Sequence, residues 1–90
     1  MDVTLYIGNL STLTGEDELL TLFTQMGAVT TLRIMRDRHS GQSRGYGYLT
    51  MSAQSEADQA VSKLNDFSFN GHPLRVSLAR PRAEGGTAGR

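Results

Sequence analysis

Apolar and polar positions alternate over Thr4–Gly8, with Leu5 and Ile7 on one side and Tyr6 on the other, so the stretch predicts a first strand. Leu19, Leu20, Leu22, Phe23 and Met26 then recur at helical spacing. Thr14 is the expected N-cap, Asp17 closes a variant capping box, and Gly27 is the expected left-handed C-cap. Alternation returns over Val29–Arg36, where Leu32 and Ile34 face away from Thr31, Arg33 and Met35. The polar run Asp37–Arg44, "DRHSGQSR", predicts a hairpin loop leading into a third strand, Gly45–Met51. Ala57, Ala60, Val61 and Leu64 form the narrow apolar stripe of a second helix, capped by Ser52 or Ser55 and ending at Asn65 and Asp66. Phe67–Pro73 carries the Asn70-Gly71 turn signal, and Leu74–Ala79 alternates as a fourth strand.

The order is βαββαβ. Both crossovers have the same right-handed sense, which predicts an α+β sandwich: a four-stranded antiparallel sheet with two helices on one face. The inward layer is then Leu5, Ile7, Leu32, Ile34, Leu49, Met51, Leu74 and Val76, and the phenylalanines, Phe23 among them, are expected inside. The opposite face is left open, carrying Tyr6, Arg33, Met35, Tyr46, Tyr48, Arg75 and Ser77. A chain of 90 residues builds one core. That core is expected to span residues 1–80, with 81–90, a run of Gly, Arg, Pro and Glu, as a flexible tail.

Composition changes this picture in two places. There is no cysteine, hence neither a disulfide framework nor a thiolate metal site, and no apolar run approaches the ~20 residues that cross a bilayer. A soluble protein of the cytoplasm or nucleus is expected, as a monomer. Net charge is zero, which argues against a nucleic-acid partner until the charges are placed. Glu16, Asp17, Glu18, Glu56, Asp58 and Asp66 lie in or beside the predicted helices, whereas every arginine lies outside them.

All three tyrosines therefore fall on the uncovered side of the sheet, among arginines. Large rings are usually buried, and an aromatic platform facing water is the informative exception. Such rings suit unpaired bases, each stack contributing ~1–3 kcal/mol, while guanidiniums attract phosphates.

Two segments carry a resemblance. "RGYGYLTM", Arg44–Met51, is similar to the octapeptide of the RNA recognition motif family, and "LYIGNL", Leu5–Leu10, resembles its partner hexapeptide on the first strand. The likeness covers residues 3–80 and implies the ferredoxin-like form of the βαββαβ sandwich and an RNA-binding function without catalysis. It implies that Tyr6 and Tyr48 stack consecutive bases, that Tyr46 lies against the sugars between them, and that Arg44 meets a phosphate. Arg33, Met35, Arg75, Ser77, the loop Asp37–Arg44 and the segment Ala79–Arg82, including Arg80, are expected to supply specificity. Gly47 is expected to let a helix approach the sheet, and Asn9 and Leu10 to be a turn and core pair. Met51 stands where the family's octapeptide ends in an aromatic; because it faces inward, the change concerns packing.

Competing readings are weaker. His39 and His72 have no cysteine or paired carboxylates at metal-ligand spacing, and no nucleophile elbow or acid–base pair is visible, so no catalytic residue, metal or cofactor is expected. Small phosphatases share the architecture, but they have no use for three exposed tyrosines. Peptide-binding variants of the fold typically lose the sheet aromatics and gain an Arg-x-Phe loop, where this chain reads "DFSFNGHP". The expected partner is a short single-stranded RNA of roughly two to four nucleotides, with single-stranded DNA also compatible because stacking does not read the 2′-OH. A protein contact through the acidic helical face is left open.

Overall fold

The computed structural model describes residues 2–79. Within them the elements are β1 (Val3–Gly8), α1 (Glu16–Thr24), β2 (Val29–Arg36), β3 (Ser43–Met51), α2 (Gln54–Leu64), β4 (Ser68–Phe69), β5 (His72–Pro73) and β6 (Arg75–Leu78). Four strands form one antiparallel sheet in the order β2-β3-β1-β6, so the two strands that carry the tyrosines are its centre. The βαββαβ expectation holds, with one addition. Asn70 and Gly71 take positive φ of 53° and 83°, the turn that suits a two-residue hairpin, and they close β4 and β5 into a separate small ribbon.

The alternation read from the sequence sets the layers. Leu5, Ile7, Ile34, Leu49, Met51, Leu74 and Val76 are buried in one cluster with Leu19 and Phe23 of α1 and Ala57, Ala60 and Leu64 of α2. Helix α1 packs against β2, and α2 packs against β6 and β1. Leu32, on the edge strand, is only partly buried. Met51 is fully buried, as its inward register requires. Of the phenylalanines only Phe23 is enclosed; Phe67 is 42% exposed, and its ring sits 6.4 Å from that of Phe69 on the small ribbon.

The helix caps differ from expectation. Thr14 is buried, and its Oγ1 accepts a 2.8 Å hydrogen bond from Asn70 Nδ2. The N-cap of α1 is Gly15, without a side-chain cap bond; the acids Glu16, Asp17 and Glu18 in the first turn complement the helix dipole instead. Likewise the N-cap of α2 is Ala53, not Ser52 or Ser55. Gly27 does not take a left-handed conformation. Its missing Cβ leaves space for the Glu56 side chain, whose Oε1 accepts the Ala28 N–H at 3.0 Å and closes the turn into β2. At Thr14 and at Gly27 tertiary packing supplied a partner that local sequence could not show.

Strand β3 owes its shape to its glycines. Its pairing with β2 shifts between Ile34↔Gly47 and Arg36↔Ser43, which leaves extra β3 residues in a bulge. Gly45 sits in that bulge with φ 85°, a conformation L side chains rarely adopt, and its carbonyl accepts the Leu10 N–H at 2.8 Å. Gly47 answers to a different need. A Cβ there would strike the Arg33 carbonyl oxygen and come within 3.0 Å of Ile34 Cα, so the missing side chain admits the backbone of β2 and not a helix.

Candidate nucleic-acid interface

The sheet register brings the three tyrosines together. Tyr6 on β1 pairs directly with Tyr48 on β3, and residues so paired point to the same face. Tyr46, two residues from Tyr48, shares that face. Ring centroids stand 5.8 Å apart for Tyr6 and Tyr48, 6.0 Å for Tyr6 and Tyr46 and 6.2 Å for Tyr46 and Tyr48, with the first and third pairs near edge-on and the second tilted by 30°. These are favourable spacings for a ring cluster. Tyr48 is the most open of the three, 38% exposed, and Tyr6 and Tyr46 are half-buried by their neighbours.

Gly8 makes this arrangement possible. Side chains two apart on a strand share a face, and the Tyr6 ring leans along β1 over Gly8, where a Cβ would fall 2.5 Å from the phenolic oxygen. The sequence carried this signal in its spacing, since Gly8 lies two residues beyond Tyr6.

Around the rings, Arg33 lies opposite Tyr48 and Ser77 opposite Tyr6. Met35, Arg36, Arg38, Arg44 and Tyr46 line an open recess of about 400 Å³ at the β2–β3 end of the face. The guanidiniums differ in how they are held. Arg36 donates to Glu16 Oε1 at 2.6 Å, and Glu16 Oε2 also accepts the Ile34 N–H at 3.3 Å on the free edge of β2. Together, led by the Arg36 bond, these donors hold the Glu16 carboxyl below the usual glutamate range. Arg44 stands 4.0 Å from Asp37, and Arg75 3.8 Å from Asp66. Arg33 and Arg38 have no acidic partner among the described residues.

Asp37 is not legible from sequence as more than a loop residue. Its Oδ1 accepts the N–H groups of His39 at 2.8 Å and Ser40 at 2.9 Å, which fold the hairpin tip, and these bonds, Ser40's first, lower its pKa. Asn9 and Leu10 are the turn and core pair that the resemblance implies. Asn9 takes φ 59° and its Nδ2 donates to the Pro73 carbonyl at 2.8 Å, while Leu10 is buried. Arg80 lies outside the described residues, as does the tail. Among the described residues no group of three or more His, Asp or Glu is placed to hold a metal ion, and no helix is long and apolar enough to cross a membrane.

The sequence profile of the family described as "RNA recognition motif" matches residues 5–75, the span from β1 into β6. The chain belongs to the RNA recognition motif family. Its similarity to individual members of the RNA recognition motif family covers nearly the whole chain. The "Glycine-rich RNA-binding protein 1" of Mycosarcoma maydis is 40% identical over 89 residues, 99% of this chain and 51% of that protein. This chain thus spans about half of that relative's length. The crystal structure of "RNA Binding Protein PG1" superimposes with a TM-score of 0.85 at 39% identity, covering 89% of this chain and 96% of that one. The structure of a "Sxl-lethal protein/RNA complex" gives 0.85 at 32% identity, covering 90% and 48%. These neighbours share the ferredoxin-like fold, and membership of an RNA recognition motif family points to a role without catalysis.

Proposed function

We propose that the chain holds roughly two to four nucleotides of single-stranded RNA across its open sheet face. Tyr6 and Tyr48 each stack a base, Tyr46 lies against the sugars between them, and Arg44 meets a phosphate. Arg33, Met35, Arg75 and Ser77 border the bases, and Arg80 extends the contact beyond β6. The observation that carries this reading is the cluster of three tyrosines within 6.2 Å of one another on the face the helices leave uncovered. That one structural neighbour is a protein/RNA complex supports it.

Magnitudes require both halves of the site. Two stacks contribute about 2–6 kcal/mol, whereas micromolar affinity needs about 8 kcal/mol. Arginine–phosphate contacts supply the rest, so binding weakens as salt rises. Single-stranded DNA binds by the same stacking, with whatever contacts the 2′-OH makes removed. The protein acts as an intracellular monomer, with residues 1–80 as its RNA-binding unit.

The test is an anisotropy titration of labelled, mixed-sequence oligoribonucleotides against the wild type and Tyr48→Ala. The variant binds more weakly by about 1–3 kcal/mol and keeps its circular dichroism spectrum. Equal affinity in the two proteins refutes stacking at Tyr48.

A further inference from the structure

Asp37 opens the β2–β3 hairpin, and its side chain is fixed there. Oδ1 accepts the His39 and Ser40 N–H groups at 2.8 and 2.9 Å. The backbone of the same residue closes the loop, its N–H donating to the Gln42 carbonyl and its carbonyl accepting the Gly41 N–H, both at 2.8 Å. The remaining oxygen, Oδ2, stands 4.0 Å from an Arg44 guanidinium nitrogen. Arg44 lines the recess beside Tyr46. The guanidinium that the proposed function assigns to an RNA phosphate therefore has an anionic oxygen beside it before RNA arrives.

Asp66 beside Arg75 makes a useful contrast. Its side chain is 70% exposed and accepts no backbone hydrogen bond among the described residues, so it can swing aside when a phosphate approaches. Asp37 cannot withdraw without giving up the bonds that shape the hairpin.

We propose that Asp37 is an internal competitor for RNA at Arg44: its fixed carboxylate occupies the guanidinium in place of a phosphate and lowers the affinity of the site. The inference rests on the reading that this face binds RNA. A phosphate reaching Arg44 must weaken the existing pair and approach a like charge held in place. Both effects act between exposed groups, so they are modest and screened by salt. The hairpin N–H groups that fix the carboxylate also lower its pKa below the usual aspartate value.

Asp37→Asn separates charge from shape, because an asparagine amide oxygen accepts the same two N–H groups and supports the same turn. Labelled mixed-sequence oligoribonucleotides are titrated by anisotropy, at low and at high salt, against the wild type, Asp37→Asn, Arg44→Gln, the double variant and Tyr48→Ala. Asp37→Asn binds about two- to fivefold more tightly at low salt. The gain shrinks at high salt and vanishes in the Arg44→Gln background. Unchanged or weaker binding by Asp37→Asn overturns the proposal, and with Tyr48→Ala still impaired the platform reading stands without it. A gain of the same size in the Arg44→Gln background also overturns it, because the effect then does not act through Arg44. If the wild type binds no RNA, the platform reading fails and the competitor with it.

Discussion

The Tyr6 ring lies over Gly8, so close that a Cβ at Gly8 would sit 2.5 Å from the Tyr6 hydroxyl. The group in the way is the far end of a side chain, which can rotate, and not backbone. Gly8→Ala is therefore expected to leave stability within about 1 kcal/mol of wild type while turning Tyr6 away from its place beside Tyr48. RNA affinity falls by about 1–3 kcal/mol, the contribution of one stack. Thermal melts and an anisotropy titration on the same sample check both halves.

Gly47→Ala is expected to do the reverse. Its new methyl group meets the Arg33 carbonyl and the Ile34 Cα, both on the backbone of the neighbouring strand. Backbone cannot rotate away, so β2 and β3 must separate locally at a cost of about 1–3 kcal/mol in stability. Urea unfolding measures it. A Gly47→Ala protein as stable as wild type contradicts the close strand approach.

Glu16 ties α1 to the edge of β2 through Arg36 and the Ile34 N–H, and those donors lower its pKa in the folded state. A carboxyl with a depressed folded pKa adds stability above its unfolded value, near 4.5 here, and loses it as pH falls through the lower folded value. Because the side chain is 39% exposed, solvent screens much of the effect. Glu16→Gln is expected to lower stability by about 0.5 kcal/mol at pH 7, with the difference from wild type closing as the pH drops below the usual glutamate range. Melting curves across that range test the sign.

The arginines separate by partner. Arg36 is pinned by Glu16 at 2.6 Å, whereas Arg33 and Arg38 have no acidic partner among the described residues. For single-stranded ligands the slope of log K against log salt falls by about 0.7 for each phosphate contact removed. Arg33→Gln and Arg38→Gln are each expected to reduce the slope by up to that amount. Arg36→Gln leaves it unchanged and lowers the melting temperature instead. A changed slope in Arg36→Gln identifies that residue as a phosphate contact.

What the sequence reveals is whatever a period of two can carry. The alternation through Leu5, Tyr6 and Ile7, and again through Tyr46, Gly47 and Tyr48, places the rings on one face and the core on the other. That Tyr6 stands directly opposite Tyr48 is a matter of register, which the alternation alone does not show. Long-range side-chain contacts are not legible. Nothing near Thr14 shows that Asn70 will bond its hydroxyl, and nothing near Gly27 announces Glu56. The acids are legible as charge but not as geometry: Glu16 reads as part of a solvated helical face, yet it clamps a strand edge, and Asp37 reads as loop, yet it organises the hairpin beside Arg44. Gly47 is legible as a needed small residue, but its neighbour is a strand where a helix is expected, because sequence shows which face a residue points to and not how closely the next strand approaches.

The most direct test of the proposed RNA-binding platform is an amide and aromatic NMR titration of the protein with short single-stranded RNA of mixed sequence. Chemical-shift changes are expected to concentrate on Tyr6, Tyr46 and Tyr48 and on their strand neighbours Arg33, Arg44 and Ser77. Changes confined to α1 and α2, or no changes at RNA concentrations well above micromolar, contradict the platform.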